Sequence, residues 1–224
     1  MELRNKMLIK VVIVGASGFG REVLWTLRDC NKKSKKYKIL GFIDDNKSLW
    51  GKLIDQTPIL GGLDWFSTKS ANKVQCVIAI SEPKIRQEIV KKLEKKNIQF
   101  PTVIHPSVIY SKSVLIGKGT IIQAGSILTV DIKIGNHVHI NIHSTVGHDS
   151  VLADFVTINP GVHVNGNTII ERGVFVGTGT TMKQKIKIGK WSIIGAGTAL
   201  IEDVREFSMY VGVPGKLKKE LSRY

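Results

Sequence analysis

Histidines are the residues of this sequence whose type and spacing could do acid–base or metal chemistry. His105 comes first, and the other five lie close together: His137, His139, His143, His148 and His163. A neutral imidazole takes up a proton near pH 7, and a neighbouring carboxylate can orient the ring and stabilise the imidazolium. Asp149 directly follows His148, so this pair is the candidate general base with its orienting acid. A surface or structural role for a lone histidine remains the alternative.

Histidine pairs also raise the question of a metal site. His143 and His148 are five residues apart, similar to the paired zinc ligands of β-solenoids of the γ-class carbonic anhydrase type. A catalytic zinc ion needs a third protein ligand and an open position for water. His137, His139 and His163 are available in principle, but their spacing singles out none of them. We therefore expect no metal.

The elements that must position His148 belong to a six-residue repeat. From Thr102 to Asp203 the sequence divides into seventeen hexads without an insertion. The first residue of a hexad is always Ser, Thr, Val or Ile. The third is aliphatic or Met, except at Tyr110, and the fourth is often Gly or Asn.

This period indicates a parallel β-solenoid with a filled interior. Strand side chains alternate, so the first and third residues of each hexad point to the same side. The Gly and Asn residues at the fourth position are expected to form the turns, because they tolerate positive φ. His148 is a fifth-position residue just past Gly147, which predicts that it lies at an edge of the solenoid and not in its interior.

A strand, a glycine-rich turn and a helix are predicted near the start of the chain. The strand is Lys10–Gly15, the turn is Gly15–Gly20 and the helix is Arg21–Cys30. A helix that begins at a glycine turn presents backbone N–H groups to a phosphate. The order G-x-x-G-x-G departs from the dinucleotide-binding pattern, so a merely tight turn is the alternative.

A second strand, Tyr37–Ile43, ends in Asp44 and Asp45. An acidic residue at this place in a parallel α/β sheet meets a ribose, although the two carboxylates could also simply cap the next turn. A turn at Pro58–Gly62, a buried strand at Val74–Ile80 and a helix at Ser81–Asn97 complete a small α/β domain over residues 1–101. This domain is short for a full dinucleotide-binding domain, which argues against a dehydrogenase.

The solenoid and a C-terminal tail form a second domain over residues 102–224. A turn at Gly212–Lys216 and a short basic helix after it are expected in the tail.

Composition bounds the class of protein. The two cysteines argue against a disulfide framework, and neither a signal peptide nor a membrane span is visible, so we expect a cytoplasmic protein. The net charge is +15, but the lysines cluster without interleaved aromatic residues. We therefore expect a solvated basic surface that attracts anionic small molecules such as coenzyme A, and no nucleic-acid partner.

Six motifs are similar to those of the NeuD/PglD-type sugar acetyltransferases, in the same order along nearly the whole chain. They are GASGFGREV (Gly15–Val23), GFIDDN (Gly41–Asn46), GHDSVLADFVTINPGVHVNGN (Gly147–Asn167), VGTGT (Val176–Thr180), IGAGTAL (Ile194–Leu200) and VGVPGK (Val211–Lys216). The resemblance implies a left-handed parallel β-helix after a small Rossmann-like α/β domain, and a homotrimer with active sites between subunits. It also implies acetyl-CoA as donor and a nucleotide-linked sugar as the ligand of the N-terminal domain.

The resemblance also implies roles for individual residues. His148 matches the catalytic base and Asp149 the acid beside it. Thr157 stands where some members have a second histidine that contacts the donor. The other matches are donor-contacting Thr178 and Ala196, and the acceptor-binding residues Gly15, Ala16, Ser17, Asp44, Asp45 and Gly61. Lys216 is assigned to the coenzyme phosphates on charge alone.

The sequence thus predicts an acetyl-CoA-dependent N-acetyltransferase that acts on a nucleotide-activated amino sugar, with a 4-amino-4,6-dideoxyhexose as the expected acceptor. One alternative keeps the donor and acetylates a hydroxyl of a sialic-acid-type sugar. The other is a zinc solenoid without acetyltransferase activity, or an inactive scaffold.

Overall fold

A computed structural model describes residues 8–223. The chain divides into two compact units. The first extends to Ile80 and includes Glu88–Pro106, and the second consists of Ser81–Gln87 and the chain from Ser107 onward. No helix in the described part of the chain is long and apolar enough to cross a membrane.

The first unit is built on a five-stranded, mainly parallel sheet with the order β3-β4-β2-β1-β5. Its strands are β1 (Ile9–Val14), β2 (Tyr37–Ile43), β3 (Leu53–Ile54), β4 (Thr57–Gly61) and β5 (Gln75–Ile78). Helix α1 (Gly18–Lys33) follows β1, and helix α2 (Pro83–Glu94), within which the two units divide, follows β5. Short 3-10 helices cover Lys47–Leu49, Leu63–Ser67 and Lys69–Ala71, and β6 (Val103–Ile104) comes last.

The apolar runs of the sequence form the centre of this sheet. Val11, Val12 and Ile13 of β1 are fully buried between β2 and β5, as expected for a central parallel strand. The predicted strands at Tyr37–Ile43 and Val74–Ile80 are confirmed within two residues at each end.

The predicted turn at Pro58–Gly62 is wrong, because β4 occupies most of it. β4 pairs in parallel with β2 and antiparallel with β3. A proline near the start of a strand removes only one ladder hydrogen bond, and the burial of Ile59 favours the strand.

The solenoid is confirmed in period and register. Two-residue strands fall on the second and third positions of every hexad, and each strand before the last coil pairs in parallel with the strand one coil later. After β6 they are β7 Ile109–Tyr110, β8 Leu115–Ile116, β9 Ile121–Ile122, β10 Ile127–Leu128, β11 Lys133–Ile134, β12 His139–Ile140, β13 Thr145–Val146, β14 Val151–Leu152, β15 Thr157–Ile158, β16 His163–Val164, β17 Ile169–Ile170, β18 Phe175–Val176, β19 Thr181–Met182, β20 Lys187–Ile188, β21 Ile193–Ile194 and β22 Ala199–Leu200.

Three strands make one coil, so the coils stack into three faces. The first face runs β7-β10-β13-β16-β19-β22, the second runs β8-β11-β14-β17-β20, and the third contains β9-β12-β15-β18-β21. The third face is extended by β23 (Ser208–Val211) and β24 (Lys216–Glu220).

First- and third-position side chains fill the interior, as the repeat predicts. Many first-position side chains are hydroxyls, and each needs a partner when it is buried. Ser126 donates to the carbonyl of Asn141, and Ser144 donates to the carbonyl of Asn159, at 3.0 Å in both cases. These bonds run from one hexad to a fourth-position carbonyl nearly one coil later, so the polar side chains join neighbouring coils.

Positive φ falls on the sixth position of the hexads, not on the fourth, so that part of the turn prediction is wrong. Values between 54° and 72° occur at Gly119, Gly125, Asp131, His137, His143, Asp149, Phe155, Gly161, Asn167, Gly173, Gly179, Lys185, Trp191 and Gly197. The corner therefore tolerates many residue types, although an L-residue in this conformation costs about 1–2 kcal/mol relative to glycine.

The fourth-position glycines are required by close approach of the next coil. A Cβ on Gly135 would lie 2.6 Å from the backbone nitrogen of Asp154, and one on Gly147 would lie 2.6 Å from that of Gly166. Both distances are below van der Waals contact, and the atoms met are backbone atoms. Glycine at this position thus lets successive coils stack closely.

A buried arginine joins the first turn of α2 to the third face of the solenoid. Arg86 is fully buried and donates to the carbonyls of Ser81 (3.0 Å) and Phe155 (2.7 Å) and to the Thr157 hydroxyl (3.0 Å). Its guanidinium also lies 3.1 Å from His139 Nδ1. Burial lowers the pKa of Arg86 to about 9, so it is a cation at neutral pH. These acceptors offset the cost of burying the charge.

The predicted basic helix in the tail is wrong, whereas the turn at Gly212–Lys216 is confirmed. The chain reverses there, and β24 pairs antiparallel with β23. Since β23 itself extends the sheet beyond β21, its outer edge offers backbone partners to the tail. Tertiary pairing overrides the helix preference of the lysines.

We expect Gly135→Ala to lower the free energy of unfolding by about 1–3 kcal/mol, because the new methyl group collides with the next coil. The matched control is Gly161→Asn at a corner. Its Cβ would meet nothing within 4 Å, and Asn167 already adopts the same left-handed conformation at φ 58°. The control should change stability by no more than about 0.5 kcal/mol. Denaturant titrations of both variants measure the difference, and equal effects would contradict this account of the glycines.

Candidate active site

His148 lies at the corner between β13 and β14, where the sequence placed it. Its Nδ1 is 2.8 Å from Asp149 Oδ2, and the two side chains are 53% and 55% exposed. Asp149 occupies the left-handed sixth position with φ 58°. With Nδ1–H donating to the carboxylate, Nε2 carries the lone pair that can accept a proton. The geometry is that of a half-exposed base held by its sequence neighbour.

Gly166 provides the space for the His148 ring. A Cβ on Gly166 would lie 2.5 Å from His148 Nε2 and 2.7 Å from Cε1. Gly166 occupies the position of His148 one coil later, and the Asn167 N–H donates to the His148 carbonyl at 2.8 Å. Sequence reasoning missed this residue, although counting eighteen residues on from His148 would have found it.

An open cleft of about 360 Å³ lies beside His148 and Gly166. Its lining combines Gly147, His148 and Gly166 with one polar side chain from each of four successive coils, which are Thr129, Thr145, Asn165 and Gln184. The Thr145 hydroxyl lies 2.9 Å from Nδ1 of His163, so a second imidazole lies beside this lining. The polar groups were not foreseen, because only the histidine carried a recognisable motif.

The predicted donor-contact residues lie at a different corner of the solenoid. His148 follows a strand of the first face, whereas Thr178 follows β18 and Ala196 follows β21, both on the third face. Thr178 and Ala196 are exposed and stack in successive coils, where the Gly197 N–H donates to the Thr178 carbonyl at 2.8 Å. Lys216 is exposed at the start of β24. A single chain therefore does not bring His148 together with Thr178 and Ala196.

Thr157 does not fit its predicted place in the donor site. It is fully buried on the third face, where its hydroxyl donates to the Ser81 carbonyl at 2.7 Å and accepts from Arg86. The side chain that the sequence assigned to acetyl-CoA is thus covered by a segment of its own unit. We withdraw Thr157 from the donor-binding set.

The other histidines of the cluster are dispersed. His137 is buried with its ring stacked on Phe155 at 5.3 Å, and His139 is buried beside Arg86. His143 is exposed at the corner that follows β12 on the third face, the same corner on which Thr178 and Ala196 lie. Within residues 8–223, no three His, Cys, Asp or Glu side chains gather as a metal site.

The six predicted acceptor residues meet at the carboxyl ends of β1, β2 and β4. The Gly15 N–H donates to the Ile43 carbonyl, the Ala16 N–H to Asp44 Oδ2, and the Asp44 N–H to the Gly61 carbonyl, at 2.8–2.9 Å. Ser17 occupies the N-cap position of α1 without a side-chain capping hydrogen bond, and Asp45 follows Asp44. In parallel α/β sheets this edge is where phosphorylated ligands bind.

Both carboxylates of this edge also hold backbone amides. Asp44 Oδ1 accepts from the Asn46 N–H, and Asp45 Oδ1 accepts from the Leu63 N–H, each at 2.9 Å. The alternative that the two residues cap the next turn is therefore correct for Asp44. The carboxylates order three loops before any ligand arrives.

Comparisons with known proteins agree with both units. Residues 10–93 match the family model described as the PglD N-terminal domain. A GDP-perosamine N-acetyltransferase from Escherichia coli O157:H7 is 32% identical over 187 residues, which cover 83% of this chain and 82% of that protein. The chain belongs to this PglD-type family of acetyl-CoA-dependent sugar N-acetyltransferases. The resemblance seen in the sequence is thereby confirmed.

Two solved structures of the family cover almost the whole chain. One is a histidine-to-asparagine mutant of perosamine N-acetyltransferase from Caulobacter crescentus in complex with CoA and GDP-perosamine. It is 25% identical with a TM-score of 0.87, over 96% of this chain and 99% of that one. The other is the acetyltransferase domain of PglB from Neisseria gonorrhoeae FA1090 with acetyl coenzyme A. It is 26% identical with a TM-score of 0.86, over 94% of this chain and 100% of that one.

We expect Gly166→Ala to lower acetyl-transfer turnover by at least about 10-fold, because its methyl group displaces the His148 ring. A well-placed general base accelerates the reaction by about 10²–10⁴, and part of this acceleration is lost when the base is displaced. The backbone at Gly166 is not left-handed, so the variant should fold with little change in melting temperature. Steady-state kinetics checks the effect.

A double-mutant cycle with His148→Ala separates ring displacement from general damage. In the His148→Ala background, Gly166→Ala should cause no further loss of turnover. A further loss of similar size would mean that Gly166 does not act through the ring.

Proposed function

We propose that this protein transfers the acetyl group of acetyl-CoA to the amino group of a nucleotide-linked sugar. The observation that carries the proposal is the His148–Asp149 pair, which is half-exposed over Gly166 at an open cleft in a chain of this family. The first unit is assigned to the acceptor and the second to the transfer.

The acceptor amine attacks the thioester carbonyl carbon of acetyl-CoA. A nitrogen–carbon bond forms as the carbonyl becomes a tetrahedral oxyanion, and the carbon–sulfur bond then breaks to release the thiol of coenzyme A. His148 Nε2 accepts the proton that the amine must lose, and this proton, once returned, protonates the departing sulfur. A backbone N–H would stabilise the oxyanion. The step needs no covalent enzyme intermediate.

Asp149 has two roles in this mechanism. Its carboxylate accepts from His148 Nδ1, which fixes the ring orientation and leaves Nε2 as the basic nitrogen. Its negative charge also stabilises the imidazolium that forms when the proton is taken. Both groups are about half exposed, so solvent screening limits the charge effect, and orientation is the larger contribution.

A complete site is proposed to form between two copies of the chain in a homotrimer. His148 and the Thr178–Ala196 pair lie at different corners of one solenoid, so donor and base meet only if a second copy supplies one of them. A ring of three such heterologous contacts is a closed arrangement. Lys216 remains a proposed contact for the coenzyme phosphates.

The proposed acceptor is a 4-amino-4,6-dideoxyhexose carried on a nucleoside diphosphate. The relatives named for perosamine act on an amino sugar of this kind, which favours transfer to an amine over transfer to a hydroxyl of a sialic-acid-type sugar.

His148→Ala is expected to lower turnover by about 10²–10⁴ while binding of coenzyme A is retained, because the variant removes a proton acceptor and no donor contact. Thiol release from acetyl-CoA, with GDP-, UDP- and dTDP-linked 4-amino-6-deoxy sugars and with CMP-sialic acid, measures the loss and identifies the acceptor. Asp149→Asn should lower turnover by a smaller factor than His148→Ala. Asn is a residue type that tolerates the positive φ at this position. Near wild-type turnover of His148→Ala would contradict the assignment.

A complementation experiment tests the shared site. His148→Ala and Ala196→Trp should each be inactive alone, the second because the indole fills the donor corner. Mixed one to one in re-formed trimers, they should recover about a quarter of the wild-type turnover, since one interface in four then pairs an intact base with an intact donor corner. Mixing His148→Ala with the His148→Ala/Ala196→Trp double variant is the control, which has no intact base and should stay inactive. A first mixture that recovers no more turnover than this control would refute the shared site.

A further inference from the structure

Trp50 is an indole held in a fixed orientation at the acceptor edge of the first unit. It follows the 3-10 helix Lys47–Leu49 and is 44% exposed. Its Nε1–H donates to the Asp44 carbonyl at 2.8 Å. A large aromatic side chain that is half exposed, yet fixed by a hydrogen bond, presents a π surface to solvent at little cost in conformational entropy.

The position of the ring is tied to the loops that surround the proposed acceptor. Asp44 accepts two hydrogen bonds at this edge. Its carbonyl accepts from the Trp50 indole N–H, and its carboxylate accepts from the Ala16 N–H. A Cβ on Gly62 would lie 3.2 Å from Trp50 Cζ2 and 2.7 Å from Asp45 Oδ1. The indole therefore packs over Gly62, directly beside the second carboxylate.

Rossmann-like geometry gives the order in which a nucleotide would lie along this edge. The diphosphate binds where α1 begins, at Ser17 and Gly18, and the ribose binds at the acidic residues that end the second strand. The base lies beyond the ribose on the side away from the phosphates. Trp50 is the aromatic residue attached to Asp44 on the loop that continues from that strand.

We propose that Trp50 forms the stacking platform for the nucleobase of the nucleotide-linked sugar. This inference rests on the proposed function and adds to it the residue that holds the base. Every base presents a π face, so stacking of this kind contributes affinity for nucleoside diphosphates as a class.

Lys47 supports the assignment. Its Nζ lies 6.0 Å from the centroid of the Trp50 ring, at the outer limit of a cation–π contact. A nucleobase competes easily with so weak a contact, and the flexible ammonium then remains beside an anionic ligand.

Trp25 is a matched control within the same unit. It is 43% exposed, nearly the same as Trp50, but it lies on α1 with its ring 5.1 Å from that of His105. Within residues 8–223, no hydrogen bond or ring contact of Trp25 involves Asp44 or the loops at the acceptor edge.

The test measures binding of GDP, UDP, dTDP and inorganic pyrophosphate to the full-length protein by calorimetry, with no acetyl transfer involved. Trp50→Leu should weaken binding of the nucleoside diphosphates by roughly 10-fold or more, as expected for a lost base stack. Trp50→Phe should retain most of the affinity, because a π face remains. Pyrophosphate binding should be unchanged in both variants, and Trp25→Leu should bind every ligand as the wild type does.

Kinetics provides a second readout. Trp50→Leu should raise KM for the nucleotide sugar by a similar factor with little change in kcat, because the base lies far from the transferred acetyl group. Unchanged nucleotide affinity in Trp50→Leu, or an equal loss for pyrophosphate, would overturn the stacking role and leave the proposed function intact. A wild-type protein that binds none of the nucleotides would overturn this inference together with the proposed acceptor.

Discussion

Close stacking of successive coils is the constraint on which the transferase unit depends. Strands of two residues are too short to be stable by themselves, so each gains its partners from the coils before and after it. Where glycines such as Gly135 and Gly147 occupy the fourth position, the backbones of successive coils are in near contact and leave no room for a side chain. The same eighteen-residue register places Gly166 against the ring of His148, so the rule that builds the scaffold also makes room for its base.

The three corners of the solenoid keep the proposed functional groups apart within one chain. Groups on one corner repeat along the coil axis, and groups on different corners stay apart however well the coils pack. His148 lies on one corner, and Thr178 and Ala196 lie on another. In the proposed mechanism, a second copy of the chain brings the two corners together.

The periodic features of the fold were predictable from the sequence, whereas features that depend on long-range contacts were not. The hexads located every solenoid strand, since each hexad contains its own strand and corner. They did not show that the corner conformation belongs to residues such as Asp149 and Phe155, because there the register overrides local preference. The tail became β24 because β23 offered it an edge. Thr157 was misassigned because the segment that covers it comes from Ser81–Gln87, more than seventy residues earlier.

The acceptor edge shows why a motif locates a site more readily than it explains recognition. Asp44 and Asp45 mark the proposed acceptor site, yet their carboxylates already hold the amides of Ala16, Asn46 and Leu63. Much of their hydrogen-bonding capacity therefore orders the loops and cannot by itself distinguish one ligand from another. In the proposed function, affinity for a nucleoside diphosphate then comes in part from other groups that these loops position. Trp50, fixed through the Asp44 carbonyl, is such a group, and no sequence motif marks it because its role arises only when the loop folds back on the strand end.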